Sequence, residues 1–178
     1  MLKSVPLIIC DNGNSEDAAL ISAISEKWGF PVICSSEKPI EGLYLQAQNG
    51  VLGLADAGEK KVNPVEVDFA SPASLYRKQH GGGRKEPIVK AIGLKGNEAW
   101  HVVDATPGLG RDAFVLVSVG CKVTMIERSP VVAALLEDGI RRLALSFPEL
   151  AAKMSLQHGN SAEAVSYTHL TLPTILLV

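Results

Sequence analysis

The sequence predicts an α/β protein in which a small α/β lobe precedes a parallel-sheet half. Three observations carry this prediction. Residues 101–128, HVVDATPGLGRDAFVLVSVGCKVTMIER, read as a strand, a glycine turn, a helix and a second strand ending in an acid. Asn49-Gly50 sits between two runs with apolar residues, which is a hairpin signal. The 178 residues are 47% hydrophobic and 20% charged, enough to bury a real core and to exclude wholesale disorder.

In chain order, Pro6 to Cys10 reads as a strand. Asn14 or Ser15 then caps a helix reaching about Trp28, with Glu16 and Asp17 placed to favour its N-terminus. Pro31 to Cys34 is a second short strand. Leu43 to Gln48 and Val51 to Ala55 form the hairpin around Asn49-Gly50, and Val65 to Phe69 continues the strand pattern. Residues 1–70 are thus expected to form the N-terminal lobe.

Residues 71–98 form a basic, glycine-rich linking segment. Ser71-Pro72 can open a helix reaching Gln79, which Gly81-Gly82-Gly83 must break, and Glu86 to Ile92 again has helical spacing. Residues 77–95 carry Arg77, Lys78, Arg84, Lys85, Lys90 and Lys95 against Glu86 alone, whereas residues 1–60 hold four Lys/Arg against eight Asp/Glu. Such a segment is either a solvated charged face or the footprint of a phosphate-bearing partner. The glycines serve either a hinge or a loop whose amides, with Arg77, Lys78, Arg84 and Lys85, face phosphate.

In residues 99–165, His101 to Val103 start the first strand and Asp104 closes it. Gly108 and Gly110 permit a tight turn that lets backbone approach a ligand. Ala113, Phe114, Leu116 and Val117 fall at helical spacing, and Lys122 to Ile126 form the second strand. Glu127 at its end is placed to accept hydrogen bonds from both hydroxyls of a ribose. Pro130 to about Leu145 is a helix, and Met154 to Gln157 a third strand. The remainder, SYTHLTLPTILLV, has no charged residue and a periodicity that fits neither helix nor strand. Residues 166–178 are therefore expected to be a non-native tail, leaving the later strands missing.

Cys10, Cys34 and Cys121 are too few and too scattered for a disulfide framework or a zinc site, so no metal is expected. Asp11 and Asn12 interrupt the early apolar run from Val5 to Cys10, and no stretch is long enough to span a bilayer. A cytoplasmic protein without a membrane partner is expected.

Two kinds of nucleotide site compete for the turn. Gly108, Gly110 and Ala113 satisfy the G-x-G-x-x-A of NAD-dependent oxidoreductases. Asp104 favours a second pattern, since Asp-x-x-x-Gly-x-Gly with an acid closing the first strand resembles the first motif of class I S-adenosylmethionine-dependent methyltransferases. The longer stretch VVDATPGLGRDAFVLVSVGCKVTMIERSPVVAALLEDG resembles the ribosomal RNA small subunit methyltransferase J family. VDFASPASLYRKQHGGGRKEPIVKAIGLKG is similar to that family's basic glycine segment. The resemblance covers residues 65–165 well and the N-terminal lobe more loosely.

It implies a Rossmann-like class I methyltransferase fold, S-adenosyl-L-methionine as cofactor, and methylation of N2 of a guanosine in 16S ribosomal RNA or the small ribosomal subunit. Asp104 would lie near the methionine amino group, with Gly108 and Gly110 passing the cofactor. Further contacts carry over to Arg111 and Asp112, to Glu127 and Arg128, and to Asn160 and Ser161, where this chain departs from the Ser-Ser pair of the family. The family's catalytic Asp-Pro-x-x-Pro motif does not occur in this chain, so no catalytic residue is assigned and no turnover is expected. A non-catalytic RNA-binding module is a further alternative. His80 reads as a loop histidine, and His101 and His158 have no nearby acid or hydroxyl in sequence to suggest a triad.

Overall fold

The structure, a computed structural model, describes residues 7–8, 14–37, 41–59, 61–72, 74, 83–94, 100–160 and 174–177. The chain divides into two compact units, Met1–Val67 and Asp68–Val178.

The first unit is a four-stranded sheet beside one helix. Strands β1 (Leu7–Ile8), β2 (Val32–Ile33), β3 (Leu43–Gln48) and β4 (Val51–Asp56) lie in the order β2-β1-β3-β4. β1 is parallel to β2 and β3, and β3 and β4 form an antiparallel hairpin. Gln48 pairs with Val51 across a two-residue turn in which Asn49 (φ 53°) and Gly50 (φ 73°) are both left-handed. This is the turn whose twist matches that of the flanking strands.

Helix α1 (Ser15–Trp28) is capped by Asn14, whose side chain accepts from the Glu16 N–H at 3.0 Å, and it ends at Gly29 with φ 70°. Its buried face, Leu20, Ile21 and Ile24, joins Leu45, Ala47 and Leu52 in the core. Asp17, only 1% exposed, accepts from the Asn49 and Gly50 N–H groups at 3.2 and 2.6 Å, fastening helix to hairpin.

The predicted strand from Val65 to Phe69 is not formed. Only Val65 bridges, to Leu54, after which the chain leaves the sheet and Asp68 and Phe69 join the second unit. Pro64, which cannot donate to a ladder, immediately precedes that bridge.

Early in the second unit, the Ser71 Oγ accepts from the Ser74 N–H at 3.1 Å, as a helix cap does. A 3₁₀ turn (Gly83–Lys85) leads into helix α2 (Pro87–Ala91). Strands β5 (His101–Asp104), β6 (Lys122–Glu127), β7 (Met154–His158) and β8 (Thr174–Leu177) form an all-parallel sheet in the order β7-β6-β5-β8. Helix α3 (Arg111–Ser118) joins β5 to β6. Helices α4 (Pro130–Ser146) and α5 (Pro148–Ala151) join β6 to β7.

Ala113 through Val117 are all buried, as expected of a helix apolar on every side. α4 is capped by the Ser129 hydroxyl, has Pro130 at its first position, and buries Ala133–Leu136 and Leu143. Val102, Val103, Val123, Met125 and Ile126 supply the sheet side of this core.

One correction concerns the final stretch, expected to supply no strand. Residues Thr174–Leu177 lie along β5, with His101 opposite Thr174 and Asp104 opposite Leu177. The reason is local. β5 would otherwise present an unpaired edge, and a short Thr-Ile-Leu-Leu run satisfies its backbone groups whatever its side-chain periodicity.

Candidate functional site

The parallel registers bring the ends of β5, β6 and β7 to one edge of the sheet, with Asp104 opposite Met125 and Glu127 opposite His158. In open parallel sheets this carboxyl-terminal edge is where ligands bind. Three successive connections leave the sheet here: the turn from Ala105 to Gly110, the Arg128-Ser129 corner, and Gly159-Asn160.

Asp104 is 6% exposed, and its Oδ1 accepts from the Thr106 N–H at 3.1 Å. Burial raises its carboxyl above the usual aspartate value. The Thr106 hydrogen bond acts in the opposite direction, and the charge of Asp112 adds to the rise. Among the described residues, Oδ2 of Asp104 has no protein donor.

The two glycines of the turn play different parts. Gly108 has φ 52° and is exposed, and a β-carbon there would meet nothing within 4 Å. Gly110 has φ 73° and is buried, and a β-carbon there would lie 2.7 Å from Cζ of Phe69 and 3.0 Å from Cδ2 of Leu136. The turn therefore faces open space at Gly108 and packed protein at Gly110. It closes with the Gly110 N–H donating to the Pro107 carbonyl at 2.8 Å, and α3 starts at Arg111 without a side-chain cap. Arg111 and Asp112 are both exposed on the first turn of α3.

Glu127 is half-buried, and its Oε1 accepts from the Ser129 N–H at 2.7 Å. Its Oε2 has no protein donor among the described residues. The Glu127 carbonyl accepts from the Gly159 N–H at 3.0 Å, and the His158 ring nitrogen lies 3.2 Å from the Arg128 carbonyl. These bonds tie the corner after β7 to the corner after β6, bringing exposed Asn160 and Arg128 to the same edge. Ser161, Arg77, Lys78 and His80 lie outside the described residues. Arg84 and Lys85 belong to the 3₁₀ turn, and Lys85 is exposed.

Two features were not legible in the sequence. Phe69, 3% exposed, stacks on Phe114 with ring centroids 5.7 Å apart and also meets Gly110. His101 Nε2 lies 2.8 Å from Thr124 Oγ1, which lies 2.8 Å from Ser155 Oγ, so hydroxyls do reach His101 across the sheet. These partners lie 23 and 31 residues apart in sequence, beyond what sequence neighbours show. The chain of groups includes no acid and starts at the opposite end of β5 from Asp104. Among the described residues, no group of three or more His, Cys, Asp or Glu is placed to hold a metal ion. Nor is any helix there long and apolar enough to cross a membrane.

Comparison with known proteins identifies the family of the chain. Residues 23–177 match the family model SAM_MT, described as "Putative SAM-dependent methyltransferase". The chain is 83% identical over 167 residues to a protein of Alteromonas mediterranea named ribosomal RNA small subunit methyltransferase J, a match covering 94% of this chain and 65% of that protein. A protein of the same name from Pseudoalteromonas atlantica is 54% identical over 129 residues, covering 70% of this chain and 50% of its own. The chain thus spans half to just under two thirds of the length of these two relatives. The crystal structure of a SAM-dependent methyltransferase from Neisseria gonorrhoeae matches at TM-score 0.71 and 39% identity, covering 97% of this chain and 69% of that one.

Proposed function

Since the chain belongs to the family of SAM-dependent methyltransferases, we propose that its β5–α3–β6 edge binds S-adenosyl-L-methionine for methyl transfer to N2 of a guanosine in bacterial 16S ribosomal RNA. The supporting observation is the pair of carboxylates ending adjacent parallel strands, Asp104 and Glu127, with an open glycine turn leaving from the first.

The donor set fits the cofactor. Asp104 holds one carboxylate oxygen on Thr106 and keeps the other for an amino group, and its buried negative charge gains from a cationic partner. Glu127 holds one oxygen on Ser129 and keeps the other for ribose hydroxyls. Gly108 keeps the turn bare where a ligand approaches. We assign Arg111 and Asp112 to the charged amino-acid end, Arg128 and Asn160 to the rim, Ser161 to a further cofactor contact, and Arg77, Lys78, Arg84 and Lys85 to RNA phosphate. When bound, S-adenosyl-L-methionine supplies an activated methyl group.

The same electrostatics argue against an NAD-type site. A diphosphate seeks a helix N-terminus free of negative charge. Here the turn lies between Asp104 and Asp112, whose charges act on each other. An amino and sulfonium end suits this surrounding better than a pyrophosphate.

Transfer to an exocyclic amine also needs in-line geometry and a group to accept charge building on nitrogen. The chain contains no Asp-Pro-x-x-Pro sequence for that step, so it is expected to bind cofactor and RNA without turning over. Transfer of labelled methyl from S-adenosyl-L-methionine to 16S RNA, naked or in partly assembled subunits, tests this. Background incorporation is expected, and sustained turnover would overturn the claim.

A further inference from the structure

We infer that Phe69 is a positioning residue for the cofactor turn, a buried ring that fixes the closed side of the turn so that its open side keeps the shape the ligand needs. The inference rests on the reading of that turn as an adenosyl-cofactor site.

Phe69 lies more than thirty residues before β5 in sequence, yet its ring reaches the turn. Its Cζ and Cε1 stand 2.7 and 2.9 Å from where a β-carbon on Gly110 would lie, and Cδ2 of Leu136 on α4 stands 3.0 Å from the same point. The ring is braced from behind by stacking on Phe114 at an interplanar angle of 18°.

The backbone carrying Phe69 is anchored independently of the turn. Asp68 Oδ1 accepts from the Ala70 N–H at 3.0 Å and pairs with Arg142 at 3.7 Å. Arg142 is itself held by buried Asp138 at 2.9 Å. The Ser74 hydroxyl donates to the Asp68 carbonyl at 3.2 Å. An aromatic ring on so fixed a base is a rigid stop.

The turn has little else to hold it. Gly110 offers no side chain to cap α3, and among the described residues the turn is closed by backbone bonds from Gly110 to Pro107 and from Phe114 to Gly110, with the Asp104 carboxylate on the Thr106 N–H at its start. With Gly108 facing open space, a ligand pressing on the open side would push the turn back unless something behind it resists. Binding groups must be held to within fractions of an ångström by the packing that supports them. Phe69 provides that support, with Leu136 beside it.

The test is titration of the intact chain with S-adenosylhomocysteine, alongside thermal unfolding without ligand, for the unaltered protein, Phe69→Leu, Phe69→Met and Leu143→Ala. Leu143 is fully buried on α4 and supplies none of the three atoms nearest a β-carbon on Gly110, so it reports a core loss of similar kind seven residues along the helix from Leu136. At temperatures where every variant is folded, both Phe69 variants should bind about tenfold more weakly, equivalent to about 1.4 kcal/mol. Leu143→Ala should lower the melting temperature and leave affinity unchanged. Unchanged affinity in the folded Phe69 variants, or an equal loss in Leu143→Ala, would overturn the positioning role alone. Absence of binding by the unaltered chain would overturn the cofactor reading and the inference with it.

Discussion

The binding role proposed for Asp104 and its effect on stability oppose each other within one side chain. Its carboxyl is raised by burial, so the folded state holds the proton more tightly than the unfolded state does. The group therefore favours folding at low pH, and that contribution is lost as pH rises from the ordinary aspartate value through the raised one. Asp104→Asn keeps an oxygen for the Thr106 N–H and removes the buried charge. At neutral pH it should raise the melting temperature while costing about 1.5–3 kcal/mol of cofactor binding, as loss of a charged hydrogen bond does. Calorimetry of both quantities on one sample checks the opposition. The glycines divide in the same way. Gly108→Ala meets only backbone strain, about 1–2 kcal/mol, whereas Gly110→Ala must also displace Phe69 and adds about 1–3 kcal/mol of overpacking. Denaturant unfolding should rank them in that order. The glycine turn and Glu127 stand out from residue type and spacing, whereas the part proposed for Asp104 comes from the family resemblance. Which glycine faces protein could not be read so, because Phe69 reaches the turn from the far side of the linking segment.

Elements governed by local chemistry were readable from sequence. Asn14 caps α1 and Asn49-Gly50 turns β3 into β4 because each conformation is set by a few adjacent residues. Elements decided by distant partners were not. β8 forms because β5 has an edge to fill, and Val65–Phe69 fails as a strand although its residues favour one. Asp17 shows the same limit, since its first-turn position explains a favourable helix end but not its bonds to a hairpin 32 and 33 residues away. Asp17→Ala strips the acceptor from two turn N–H groups and should destabilise the first unit by about 1–3 kcal/mol. Urea unfolding followed by Trp28 fluorescence measures it, and Asp17→Asn, which keeps one acceptor oxygen, should lose less.

At the scale of the molecule, an acidic first unit and a basic linking segment accompany the proposed cofactor edge with its two carboxylates. The proposed division of labour makes RNA and cofactor binding separable. Reversing Arg84 and Lys85 to Glu should weaken RNA binding and flatten its salt dependence by about 0.7 in slope for each phosphate left without its cation, with S-adenosylhomocysteine affinity unchanged. Equilibrium binding at several salt concentrations reads both. The central claim, that the edge after β5 and β6 is an adenosyl-methionine site, is tested most directly by titrating the intact chain in parallel with S-adenosylhomocysteine and with NAD. Saturable one-to-one binding of S-adenosylhomocysteine, weakened by Glu127→Gln, with no response to NAD, is the expected result. Binding of NAD that S-adenosylhomocysteine does not displace would contradict it.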